Sequence, residues 1–373
     1  MFEINNEHTG TKYAIRLVPL DEAHALRKSG VVFYDFTKLT AVNTCPTWGV
    51  LRYGLHRTDI PLTASGRSLA LECGKACHDF FAAVRMHELL NRNGADRTRL
   101  NNHGFKLFGR DRWESMLQQP QDSDSQTNCL NFALDSLHTS GYYDDPSDRK
   151  RTLANMEASC IAYLQRFQQS DMPVHVDENI IGVEVPFVLE VKRHSVAGPD
   201  FNKWTGTTTH YYCGRIDGIQ QYGDQLAVCE NKTAANLSRT WSISFAISAQ
   251  VTGYTIAGTA LLGREVNHAI VMGTQIPLPR DTYNGVVFEP QSRSVSDKLR
   301  WCEWFFHSIE TYEAYIATPA QAPRYSHSCN RYFSACQFIP FCSSTREEQD
   351  SLLDEMRVDE WSPLDHLDSE GVE

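Results

Sequence analysis

The stretch GRIDGIQQYGDQLAVCENKT, residues 214–233, constrains this 373-residue chain more than any other. Two β-prone runs, 211–220 and 225–232, flank Tyr-Gly-Asp, and that punctuation predicts a hairpin. With Gly223-Asp224 as a two-residue loop, residues whose numbers sum to 447 face each other. Asp217 then stands opposite Glu230, with Cβ atoms roughly 4.5–5.5 Å apart. Lys232 lies two residues beyond Glu230 and so points to the same face. A three-residue loop would shift the register and undo this arrangement.

Like charges placed opposite each other destabilise a sheet unless something compensates them. A divalent cation such as Mg²⁺ or Mn²⁺, which prefers hard oxygen ligands, is one compensator. The plainer alternative is an exposed hairpin with a solvated Glu-Lys pair. Two further patterns bear on the choice. Gln250 and Tyr254 form Q-x-x-x-Y on one face of an Ala/Gly/Thr-rich helix expected over 241–262. Gly74 and His78 form G-x-x-x-H in a helix expected over 67–91, where the glycine permits close backbone approach beside an imidazole that could ligate a metal. A lone helical histidine is more often a packed or surface residue.

The remaining pattern is helix at 152–169, strand at 180–191, strand at 269–276 and helix at 296–318. Residues 92–150 are polar and turn-rich and predict an irregular insertion. That order predicts a mixed α/β core with a helical N-terminal elaboration.

Taken in sequence, G-x-x-x-H, the strand residue Glu184, G-R-I-D, E-N-K and Q-x-x-x-Y resemble the RecB-type branch of the PD-(D/E)XK nuclease superfamily. The resemblance runs from about residue 31 to residue 342. It implies a restriction-endonuclease-like core, a central mixed sheet flanked by helices. It further implies that His78, Asp217 and Glu230, with the backbone carbonyl of Asn231, bind Mg²⁺ or Mn²⁺. Lys232 would be the catalytic lysine, and Gln250 and Tyr254 would touch the substrate strand. Glu184 is either an accessory acid or a strand-edge residue. Ile216 stands where many members carry proline.

Of eleven cysteines, Cys45 lies early, and Cys329, Cys336 and Cys342 lie late. One early and three late cysteines resemble the iron–sulfur members of this superfamily, the AddB-type subunits and the CRISPR-associated spacer-acquisition nucleases. Those members imply a [4Fe–4S] cluster. The late spacing here is C-x6-C-x5-C rather than the commoner C-x2-C-x5-C, which leaves Zn²⁺ as an alternative. The domain reading is then an N-terminal segment (1–30), a helical region carrying Cys45 and His78 (31–170), the nuclease core with the late cysteines (171–345), and an acidic tail (346–373).

A formal charge of −11 argues at first against nucleic acid, but residues 346–373 carry −9 of it. Binding should therefore be local to an active-site groove, with a tail expected to be mobile. The start MFEINNEHTG lacks the look of a signal peptide, and 246–263 reads as a buried core helix, so a cytoplasmic chain without membrane contact is expected (host cytoplasm, if phage-encoded). The expected activity is a metal-dependent deoxyribonuclease, exonuclease or end-processing, acting on single-stranded DNA or DNA ends in recombination, repair or replication. No Walker A sequence is present, so a helicase, recombinase or annealing-protein partner would supply translocation. The alternatives are an inactive DNA-binding scaffold with the same fold, or a zinc-stabilised interaction protein.

Overall fold

The Tyr-Gly-Asp turn closes as a two-residue loop. Gly223 adopts φ 61°, a left-handed conformation that a glycine takes without steric cost, and the pairs from Tyr222–Gln225 to Gly218–Cys229 all sum to 447. The structure, a computed structural model, describes residues 1–58, 68–119, 124–195, 206–280, 285–331 and 334–367. In chain order its principal elements are β1 (Phe2–Asn5), β2 (Lys12–Leu17), α1 (Phe36–Thr44), α2 (Pro46–Tyr53), α3 (Leu69–Leu90), α4 (Leu153–Gln168), β3 (Val183–Ser195), β4 (Gly206–Tyr222), β5 (Gln225–Ala234), α5 (Ala249–Leu262), β6 (His268–Gln275), β7 (Val286–Ser292) and α6 (Val295–Ile316). The chain is α/β. Its mixed sheet runs β1-β2-β3-β4-β5-β6-β7, and the two-residue strand Phe33–Tyr34 pairs in parallel with β4. β5 and β6 pair in parallel, whereas β4–β5 and β6–β7 are antiparallel.

Contacts divide the chain into two compact units interleaved in sequence. One is built from Met1–Gly66, Val188–Gly214 and Val295–Leu367, the other from Arg67–Phe187 and Arg215–Ser294. In the first unit Val18, Ala23, Phe33, Val188 and Cys213 form a core with Leu364 and Leu367. The acidic tail is therefore anchored over its described part. A capping box between Thr345 and Glu348 starts the helix Arg346–Glu355, Arg357–Val358 pairs antiparallel with Arg57–Thr58, and both late leucines are buried. Counting charge hid these apolar anchors. Residues 368–373 of the tail lie outside the described residues.

In the second unit α3 buries Cys73, Phe80, Phe81, Val84, Arg85 and Met86 around most of its circumference, the signature of a central helix. The insertion expected to be irregular instead carries three helices, Arg97–Phe108, Arg110–Leu117 and Ser125–His138. Asp96 and Asp124, which read as turn residues, are N-caps whose carboxylates accept from Arg99 N (3.0 Å) and Thr127 N (2.9 Å). Trp113, Phe132 and Leu137 from these helices are buried in the core. The helix expected over 241–262 is broken: Arg239–Ser244 and a 3₁₀ turn, Phe245–Ile247, precede α5 at a 50° bend, and the Ser248 hydroxyl caps α5. Residues Val251–Thr259 of α5 are buried, and among the described residues no single helix is long and apolar enough to cross a membrane.

Trp113 lies flat on Gly104, where an added Cβ would come within 2.2–2.5 Å of the indole. Alanine is worth about 1 kcal/mol over glycine in a helix, but overpacking a ring that is fully buried costs about 1–3 kcal/mol. Gly104→Ala should therefore bring no gain in urea unfolding and destabilise the protein by up to about 2 kcal/mol, where helix propensity alone predicts a gain.

Candidate metal centre and active site

The hairpin register places Asp217 and Glu230 on one face, and both are buried, at 6% and 5% exposure. Asp217 Oδ2 accepts from the Asn231 backbone N–H at 2.6 Å, so the β5 backbone itself orients the carboxylate. From α3, His78 brings Nδ1 to 3.5 Å from Asp217 Oδ1. From β3, Glu184 completes the group: one ligand atom from each of His78, Glu184 and Asp217 lies within 4.8 Å of the others. Two ionised carboxylates at that separation repel by about 3–4 kcal/mol at an effective dielectric constant near 20, so the arrangement calls for a proton or a cation.

The titration directions follow from this crowding. Burial, then the neighbouring Asp217, pushes Glu184 up to about 8. Burial pushes Glu230 up to about 7, with Lys232 pulling against it and Asp217 adding to it. For Asp217, burial is outweighed by the His78 imidazole, the Asn231 N–H and Lys232, and it is held below the usual range. Burial also opposes the charge on His78, but Asp217 first, then Glu184 and Glu230, raise it to about 9. One buried oxygen on each of Glu184 and Glu230 has no hydrogen-bond partner. One imidazole and two or three carboxylates with vacant oxygen lone pairs fit a hard divalent ion such as Mg²⁺ or Mn²⁺.

Glu230 takes a different position from the other three: its Oε1 lies 2.5 Å from Lys232 Nζ. Lys232 Nζ also donates to Gln250 Oε1 at 3.0 Å, and Gln250 Nε2 donates to the Tyr254 hydroxyl at 3.2 Å. All the sequence-singled residues from α3, β4, β5 and α5 thus meet in one unit. Tyr254 is only 8% exposed and packs edge-on to Phe187 at 5.8 Å, so its place is behind Gln250. Gly74 faces Thr233 Oγ1, and a Cβ there would sit at 3.4 Å, an ordinary contact. The close approach expected of this glycine is not needed for space.

Sequence reasoning passed over Arg85. It is fully buried on α3, two turns beyond His78, and its Nη2 donates to Asn231 Oδ1 at 3.2 Å. The Tyr163 hydroxyl of α4 donates to the same oxygen at 3.3 Å. The guanidinium lies against Gly218, where a Cβ would meet Nε at 2.9 Å, so only glycine leaves it room. An arginine inside the apolar run Phe80–Met86 was the available signal.

In the other unit, Ser328 Oγ donates to the Thr44 carbonyl at 2.9 Å, which brings the neighbours Cys45 and Cys329 together. Thr47 Oγ1 donates to Ala322 O at 2.9 Å, and Cys336 N donates to Cys329 O at 2.7 Å. The Cys342 thiol is pushed up to about 11 by burial, with Arg324 opposing and Cys45, Cys336 and Cys329 each adding to the rise. The four cysteines therefore share one electrostatic neighbourhood. Among the described residues no three of their sulfurs lie within 4.8 Å of one another.

No protein-family model matches the chain, and no curated protein matches it in sequence. Among solved structures, a chain titled "Crystal structure of SSO0001" is similar at 15% identity, covering 65% of this chain and 96% of that one with a TM-score of 0.28. A likeness at that level carries no argument about function.

Proposed function

We propose that this chain is a metal-dependent deoxyribonuclease of the restriction-endonuclease-like kind, an exonuclease or end-processing enzyme that hydrolyses phosphodiester bonds. The observation that carries the reading is the convergence of His78, Glu184 and Asp217 within 4.8 Å, beside a buried Glu230–Lys232 pair. Few structural needs explain three titratable side chains from three elements meeting around oxygens that lack partners.

His78, Glu184, Asp217 and Glu230 are the residues that would hold Mg²⁺ or Mn²⁺. When bound, such an ion neutralises phosphate charge and lowers the pKa of its water to give a nucleophile for in-line attack. Lys232 is held in its charged form, since Glu230 first and then Asp217 outweigh burial. It therefore acts as a hydrogen-bond donor that orients the attacking water and the scissile phosphate, and not as a base. Gln250 fixes the Lys232 ammonium together with Glu230, and Tyr254 fixes Gln250. The Asn231 N–H keeps Asp217 aimed at the centre. In the other unit, Cys45, Cys329, Cys336 and Cys342 would hold a [4Fe–4S] cluster.

End-labelled single- and double-stranded DNA with Mg²⁺ or Mn²⁺ tests the activity. Cleavage should occur and should fall by about 100-fold or more in Lys232→Ala, the loss typical of one positioned donor. No cleavage by the intact protein, or unchanged cleavage by the variant, would overturn the assignment.

Metal binding must displace the protons that Glu184, Glu230 and His78 carry in its absence. Because both carboxyls are raised above their unfolded values, the stability they contribute is full at acid pH and is lost as pH climbs through about 7 and about 8. Mn²⁺ should thus raise the thermal midpoint more at pH 8 than at pH 6, and Asp217→Asn should abolish the rise. An equal rise at both pH values would place the ion elsewhere.

Protein purified without oxygen should absorb near 400 nm and contain iron, and Cys336→Ser should lose both signals. A colourless anaerobic preparation containing zinc and no iron would refute the cluster.

A further inference from the structure

The connection between β5 and α5 starts next to Lys232 and ends next to Gln250, and those two side chains are hydrogen-bonded at 3.0 Å. Both ends of the connection are consequently held beside the candidate active site. It is fastened there by its own contacts. Trp241 lies over Gly273, where a Cβ would come within 2.3 Å of the indole, and Gly273 is the register partner of Lys232, so the ring sits on the face to which Lys232 points. Ser242 Oγ donates to Glu289 Oε1 at 2.7 Å, and Arg293 Nη2 donates to the Phe245 carbonyl at 2.6 Å.

A lobe tied down in this way nevertheless turns apolar side chains outward. Ile243 is 58% exposed and Ile247, four residues on, is 91% exposed. Its charge is equally unusual for so acidic a protein. Between Glu230 and Glu265 there is no Asp or Glu, and the charged residues are Lys232, Arg239 and Arg264. A connection whose own residues include Arg239 and no acid, touched by one carboxylate at Ser242, and carrying two protruding aliphatic tips suits a partner that presents phosphates outside and apolar stacked faces inside.

We propose that this lobe is a strand-separating wedge for a DNA duplex end: Ile243 and Ile247 pack against the terminal base pair and split it, so that one strand enters toward Lys232. This deepens the nuclease reading and rests on it for the identity of the substrate. It also gives the end preference a structural basis, since a wedge beside the active site engages a terminus more readily than an unbroken duplex.

The test is the double variant Ile243→Ser, Ile247→Ser, whose sites are exposed and whose fold is checked by circular dichroism and by its Mn²⁺ stabilisation. A blunt duplex with 2-aminopurine at its terminal pair, held with Ca²⁺ in place of Mn²⁺, should brighten with the wild-type protein and stay dim with the variant. With Mn²⁺, the variant should cut the blunt duplex about tenfold more slowly, while cutting the same sequence as a single strand within about twofold of wild type. Equal behaviour of variant and wild type on the duplex, or equal losses on both substrates, would overturn the wedge. So would a variant that changes only sedimentation or binding to phospholipid vesicles, because the patch would then belong to a second copy or a membrane. Cleavage by wild-type protein without any brightening overturns the wedge alone; brightening without cleavage of either substrate overturns the nuclease reading alone.

Discussion

Buried negative charge on one face of a hairpin is the constraint from which the rest of the second unit follows. A two-residue turn commits Asp217 and Glu230 to the same side of the sheet, and burial at 6% and 5% exposure removes the water that would screen them. Every polar group nearby reads as an answer to that problem. His78 and the Asn231 N–H face Asp217, and Lys232 faces Glu230. Glu184 makes the problem worse by adding a third carboxylate, which calls for a proton or a cation.

Arg85 supplies the deepest layer of that answer. Among the described residues it hydrogen-bonds no carboxylate but holds the Asn231 amide oxygen, together with Tyr163. Asn231 therefore acts at both ends, its side chain locked from below by α3 and α4 and its backbone N–H aimed at Asp217. A buried cation one residue's depth behind the carboxylates lowers the cost of keeping them ionised without competing for their free oxygens. A histidine and an arginine two turns apart on α3 thus divide the work between the front and the back of the site.

The hairpin, its register and its two acids were legible because a two-residue turn leaves no freedom: side-chain direction follows from counting. Long helices such as α3, α4 and α6 were legible from apolar periodicity, within two residues at each end. The short helices between residues 92 and 150 were not, since Asp caps and polar outer faces resemble turns when the packing of Trp113 and Phe132 is unseen. Arg85 was hidden for a related reason, because a charged residue inside an apolar stripe is interpretable only once its partners from β5 and α4 are in place. The relative standing of Glu184 and Glu230 was also out of reach, because it depends on how β3 enters the sheet.

That entry is unusual. Glu184 adopts φ 48°, in the left-handed region where a side chain bearing Cβ is strained, and just before it Gly182 is pressed between the Ile219 and His175 carbonyls, where a Cβ would come within 2.5–2.7 Å. The residue that best tolerates such a backbone is glycine, and a glutamate there holds its conformation only because the surrounding contacts over-determine it. The surroundings reward the carboxylate too little in return: one of its oxygens is buried without a hydrogen-bond partner, and burial and Asp217 outweigh the attraction of His78, Arg215 and Arg85. Backbone strain, burial and an unsatisfied oxygen at one residue oppose folding together. They are reconciled if the carboxylate is held in place for a ligand that meets it there, which favours Glu184 beside Asp217 and His78 at the ion. Glu230 then keeps its closest contact for Lys232.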